Sequence, residues 1–114
     1  DAGDLGQLLD CKKALGNFRP MEVGSLFSQA VVALAHMHSR RVAHRDIKPT
    51  NILLMTSGVV KLADFGLAKL MDKTIAKQTV HGTLAYSPPE VLQLSKKQSG
   101  FAWDAWGMGC LLYE

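Results

Sequence analysis

Cysteine is scarce. Cys11 and Cys110 are the only two in 114 residues, far apart and without the paired spacing of a metal site. That argues against a disulfide framework or a thiolate metal centre and favours reduced thiols, buried or idle. Apolar runs are short too. None approaches the roughly 20 residues of a membrane span, and no signal-peptide pattern stands at the start. Basic runs stop at pairs: Lys12-Lys13, Arg40-Arg41 and Lys96-Lys97. With 13 basic and 10 acidic residues, the net charge of +3 is small and scattered. A pI near 9 is therefore read as solvated surface charge rather than a nucleic-acid footprint. Neither a membrane nor a nucleic acid is expected as a partner. Internal repeats and low-complexity tracts are absent. Cysteine usage and the missing signal point to an intracellular protein, the cytoplasm first, with the nucleus left open.

What is present suits a globular domain or part of one: 47% of residues are apolar and 20% charged. The chain starts at Asp1 without Met and ends at "GCLLYE", inside an apolar periodic run. Both ends read as cut, so a fragment is expected.

Leu5, Leu8, Leu9 and Leu15 lie near helical spacing, with Gly16 as the stop. A second helix is expected over "RPMEVGSLFSQAVVALAHMHSRR", with Pro20 in its first turn. Val23, Phe27, Ala30, Leu34 and Met37 form its apolar stripe. "NILLM" and "VVKLA" flank the turn "TSG" and read as a hairpin. Residues 66–90 read as a long, partly ordered loop, a type that is usually functional. Pro88-Pro89 should open a short helix through Val91 and Leu94. "FAWDAWGMGCLLYE" starts a buried helix that Gly107 and Gly109 each weaken by roughly 1 kcal/mol relative to Ala.

The string "HRDIKPTNILL", residues 44–54, crowds a His, an Arg, an Asp, a Lys and an Asn against an apolar run. Taken singly, Asp46 is readable as a turn residue, Asn51 as a strand cap, Asp64 as a turn or helix cap and Lys48 as a surface charge. Read in order with "DFG" (64–66), "GT" (82–83), "PPE" (88–90) and "DAWGMG" (104–109), they acquire another meaning. The chain resembles the eukaryotic protein kinase family, matching H-R-D-L-x-x-x-N with Ile47 for Leu, D-F-G, and a variant of A-P-E. The joint order makes chance a poor explanation.

The resemblance implies an α+β, protein-kinase-like fold. Residues 1–114 would form part of the mainly helical C-terminal lobe, from the end of the hinge to the start of the F helix, with a short β-hairpin carrying the catalytic loop and the D-F-G segment. It implies ATP-dependent phosphorylation of protein substrates with Mg²⁺. Such chemistry needs an in-line nucleophile and neutralised phosphate charge more than covalent help. Asp46 would orient or accept the hydroxyl proton, and Lys48 would touch the transferred phosphoryl group. Asn51 and Asp64 would hold Mg²⁺, whose preference for hard oxygen ligands suits them. Leu53 would floor the adenine, with Ile52, Leu53 and Leu54 rooting the site in the core. Asp4 would bond the ribose, although an exposed residue at the start of a helix reads nearly as well. His44 would pack on Phe65, and Asp104 would hold the catalytic-loop backbone. Trp106 and Cys110 read as core.

Lys48 and Thr83 resemble the serine/threonine branch, and "GTLAYSPPE" with "GDL" is similar to NIMA-related kinases, or to the calcium/calmodulin-dependent group. Thr79, four residues before Thr83, is the implied regulatory phosphosite, with Thr74 as rival. Arg45 and Lys69 would receive its phosphate, and an upstream activating kinase would then be a partner. Pro88, Leu84 and Gly107 depart from the usual family residues, and the stretch from Val91 to Trp103 looks slightly long. None of these touches phosphate or metal. The sequence holds no Gly-rich phosphate loop, no V-A-I-K lysine and no helix-C glutamate, and the helices after the F helix are also missing. Two readings result: part of an active kinase whose fragment is inactive alone, or a kinase-like binding or regulatory module without catalysis.

Overall fold

The computed structural model describes residues 3–16, 19–71, 83–92 and 99–114. Among these residues the helices are α1 (Leu5–Leu15), α2 (Pro20–Ser39), α3 (Pro89–Leu92) and α4 (Gly100–Tyr113). Five short strands are β1 (Gly3–Asp4), β2 (Val42–Ala43), β3 (Ile52–Leu54), β4 (Val60–Leu62) and β5 (Lys69–Leu70).

Local chemistry sets the helix ends. Asp4 caps α1: its Oδ1 accepts from Gln7 N at 3.0 Å, and Gln7 Oε1 accepts from Asp4 N at 3.4 Å. Gly16, at φ 124°, closes the helix with its N–H on Lys12 O. Pro20 occupies the first turn of α2, as expected. Glu22 Oε2 accepts from Arg19 N at 3.1 Å there, and this bond leads the causes that hold the Glu22 carboxyl below its ordinary value.

Ala30, Leu34, Ile47, Ile52, Val60 and Met108 form the buried core, with Leu26, Phe27, Leu62 and Leu111 among the residues packed against it. From the expected stripe of α2, Ala30 and Leu34 are buried, while Val23, Phe27 and Met37 are half-buried. The hairpin has the expected span, pairing Ile52 with Leu62 and Leu54 with Val60. Gln29 ties it to α2: its Nε2 donates to Gly58 O at 3.2 Å, and its Oε1 accepts from Val60 N at 3.0 Å. One expectation needs correction. Ile52 is 1% exposed, but Leu53 is 37% exposed. Alternate side chains of a strand point to opposite faces, so Leu53 cannot share the core with its neighbours.

Sequence periodicity gave no sign of β1, β2 or β5, which are two residues each. Asp4 pairs with Leu53, and Ala43 pairs with Lys69. The long loop expected over 66–90 therefore contains β5, a 3₁₀ turn at Leu84–Tyr86 and the start of α3. Thr74, Thr79, Gly82 and Leu94 lie outside the described residues. α4 runs unbroken through Gly107 and Gly109 because packing overrides propensity. A methyl built on Gly107 would lie 2.9 Å from Ile47 Cβ, so glycine is what permits this close approach. Cys110 is half-buried, whereas Trp106, expected in the core, is 47% exposed. No helix among the described residues is long and apolar enough to cross a membrane.

Ile52 is the largest of the fully buried side chains. Ile52→Ala is expected to cost about 2–5 kcal/mol of stability, measured by urea unfolding of the intact domain. A loss below about 1 kcal/mol would show that this position is not part of a close-packed core.

Candidate active site

Residues 44–48 lie in extended and irregular backbone between β2 and the 3₁₀ turn Pro49–Asn51. Such a segment has no ladder of its own, so its N–H groups need other acceptors. Asp104 of α4 supplies them. Its Oδ2 accepts from His44 N at 2.8 Å and its Oδ1 from Arg45 N at 2.6 Å. His38 Nε2, from the last turn of α2, lies 2.7 Å from the same Oδ2. Asp104 is fully buried, and charge-assisted bonds of this kind are about twice as strong as neutral ones. Arg45 has φ 70°, a left-handed conformation that costs a non-glycine residue roughly 1–2 kcal/mol. The Asp104 bonds help offset that strain.

His44 joins the loop to the hairpin. Its Nε2 bonds Ala63 O at 2.9 Å, and its Nδ1 accepts from Asp46 N at 3.3 Å. These two bonds fix the tautomer as Nε2–H. The ring lies 5.3 Å from that of Phe65 at 49°, the packing expected from the sequence.

The Asp46 carboxylate is 7% exposed and is held by four donor contacts. Thr83 donates to Oδ1 through its N at 3.1 Å and its Oγ1 at 3.2 Å. Lys48 Nζ lies 2.8 Å from Oδ2, and Asn51 Nδ2 donates to the same oxygen at 3.1 Å. Lys48 Nζ also donates to Thr83 Oγ1 at 3.2 Å. Burial pushes the Asp46 carboxyl up, but the bonds from Lys48 and Thr83 together outweigh it and hold the group below its ordinary value. Asp46 is thus an anion at neutral pH.

Asn51 is buried, and its Nδ2 also donates to Asp46 O at 2.8 Å. Its amide oxygen is a hard donor of the kind Mg²⁺ takes. Ala63 N donates to Asn51 O at 2.9 Å, which brings the neighbouring Asp64 to the same end of the hairpin. Asp64 is exposed, with φ 59°, and its Oδ1 accepts from Gly66 N at 3.3 Å. One amide oxygen and one accessible carboxylate, both hard donors, fit a Mg²⁺ ion that completes its shell with phosphate and water.

The remaining sequence-derived residues fall around this centre. Leu53 faces out of the hairpin beside Asp4, whose carboxylate caps α1. Lys69 is paired with Ala43, two residues before Arg45. Thr83 and His38 were not read as site residues. The "GT" dipeptide could have signalled Thr83. Nothing local signals His38, which meets Asp104 across 66 positions.

The protein kinase domain family model matches residues 1–114. The chain belongs to the protein kinase domain family. Serine/threonine-protein kinase 36 of Pongo abelii is 38% identical over 110 residues, covering 96% of this chain and 8% of that protein. Serine/threonine-protein kinase Nek1 of Mus musculus is 36% identical over 115 residues, covering 100% of this chain and 9% of that protein. Nek1 carries the likeness to NIMA-related kinases. The kinase chain thus spans under a tenth of either relative. Among solved structures, a chain of the yeast RNA Pol II CTD kinase CTDK-1 complex superposes with a TM-score of 0.86 at 36% identity, over 96% of this chain and 35% of that chain. The α+β kinase fold expected from the sequence is the fold observed.

The depressed Asp46 titration has a sign that can be checked. A carboxyl whose folded pKa lies below its unfolded value contributes stability above the unfolded pKa, and that stability is lost as pH falls through the folded one. Carboxyl NMR titration of the intact kinase domain should place Asp46 below the usual carboxylate value near 4. Lys48→Met should move it upward. An unchanged midpoint in Lys48→Met would remove Lys48 from the causes.

Proposed function

We propose that the intact protein transfers the γ-phosphoryl group of ATP to serine or threonine hydroxyls of protein substrates. The observation that carries this reading is the ionised, nearly buried Asp46 gripped by Lys48, Thr83 and Asn51. A carboxylate offers about four acceptor positions, and donors already engage all of them here. An entering hydroxyl must replace one donor. Lys48, at 25% side-chain exposure, is the partner able to turn away toward the phosphoryl group. Asp46 then accepts the hydroxyl proton as the oxygen bonds the γ-phosphorus and the bond to the bridging oxygen breaks, releasing ADP. Asn51 and Asp64 would hold Mg²⁺, which would supply neutralisation of phosphate charge. Leu53 would lie under the adenine and Asp4 near the ribose.

Asp46→Asn in the intact protein should lower kcat by orders of magnitude with little change in the KM for ATP, because its role lies in the transition state. Asp64→Ala should nearly abolish activity by weakening productive Mg-ATP binding. Near-normal turnover by either variant in a phosphotransfer assay would remove the corresponding role.

Residues 1–114 alone should not turn over ATP, since the sequence contains no phosphate loop and no strand lysine. Robust turnover by the purified stretch would overturn that. A second reading, a kinase-like binding module, draws support from the exposed Trp106 and Leu112 on α4. An intact protein inert with Mg-ATP would favour it. The free thiols support an intracellular location, cytoplasmic first, with the nucleus open.

The proposal extends to regulation. Thr79 is the candidate phosphosite for an upstream kinase, with Arg45 and Lys69 receiving the phosphate. In the intact protein, Thr79→Ala should block activation by an upstream kinase, while Thr74→Ala should not. The reverse result would reassign the site, and two silent variants would rule out a phosphate switch in this loop.

A further inference from the structure

Arg45 precedes the catalytic Asp46 and holds a backbone conformation that side chains disfavour, at φ 70°. It is gripped at both ends by adjacent residues of α4. Asp104 takes its backbone N–H at 2.6 Å. Trp103 lies beneath its guanidinium, with the Arg45 Cζ 5.5 Å from the ring centroid. Arg45 is 7% exposed and Trp103 3%. A cation held over an indole face gains most when both are withdrawn from water. α4 can offer both grips because its N-terminal turns pack on the β2–β5 ribbon: a methyl on Gly100 would lie 2.7 Å from Ala43 Cβ and 3.0 Å from Met71 Sδ.

We infer that Trp103 is a positioning residue of the kinase: its indole face holds the Arg45 guanidinium and so fixes the backbone that presents Asp46. The inference rests on the phosphotransfer reading above for its rate effect, but not for its structural effect. Without the aromatic face, the Arg45 guanidinium loses its contact with the indole. The peptide leading into Asp46 is then freer to leave the left-handed conformation. The loss falls on alignment of the catalytic carboxylate, not on nucleotide binding.

The test uses the intact protein. Trp103→Leu should lower kcat by about tenfold, with the KM for ATP within about twofold of wild type. Trp103→Phe keeps an aromatic face and should retain most of the rate. Val32→Ala, at an exposed position of α2, should leave it unchanged. In a double-mutant cycle, Arg45→Met with Trp103→Leu should be no worse than the poorer single variant. Additive losses, or a Trp103→Phe variant as slow as Trp103→Leu, would overturn the inference. Should Trp103→Leu fail to fold, Arg45→Met in a Thr79→Ala background, where no phosphate is received, carries the test: its kcat should fall about tenfold below that of Thr79→Ala alone, and an unchanged kcat overturns the proposal. If the wild-type protein shows no phosphotransfer at all, the kinase reading fails, and amide exchange at Arg45 and Asp46 decides the positioning role. Faster exchange in Trp103→Leu, or in Arg45→Met, than in wild type and Trp103→Phe supports it, and equal exchange overturns it.

Discussion

The site depends on one buried carboxylate. Asp104 accepts from two consecutive amides of the loop 44–48 and bonds His38 as well. An irregular segment inside a protein is tolerable only if its polar groups find partners. Here one side chain provides them and joins the C-terminal end of α2 to α4 across the loop. Without it the amides of His44 and Arg45 would stand buried and unpaired, each at a cost of about 1–3 kcal/mol. The strained φ of Arg45 and the placement of Asp46 both follow from that seat.

Asp46 presents the opposite electrostatic problem. A nearly buried carboxylate tends to gain a proton, and this one is kept ionised by the Lys48 ammonium and by the hydroxyl and backbone N–H of Thr83. Thr83 supplies two of those donors although it lies 37 positions away. The ionised state of the candidate base thus draws on Lys48 from its own loop and on Thr83 from another.

Much of this was readable before any coordinates. The two long helices, the start of one at Pro20 and the stop of the other at Gly16, and the hairpin over 52–62 follow from local rules: apolar spacing, turn residues and capping groups act within a few positions. The order of "HRDIKPTN", "DFG" and "DAWGMG" led to the family, and Asp46, Lys48, Asn51 and Asp64 came with it. The two-residue strands were invisible because pairing, not residue preference, defines them. Leu53 was misread as core because an unbroken apolar triplet hides the alternation of a strand. Trp106 was misread because α4 buries only the side facing the loop.

The sequence by itself determined the two long helices, the hairpin, the chemistry of the candidate groups and the family, since each depends on residue type at short range or on motif order. Only the tertiary structure decided which groups meet. It brought His38 to Asp104, Thr83 and Lys48 to one carboxylate, and Trp103 beneath Arg45. Those contacts join residues up to 66 positions apart, and chain separation carries no information about which buried polar group will satisfy which.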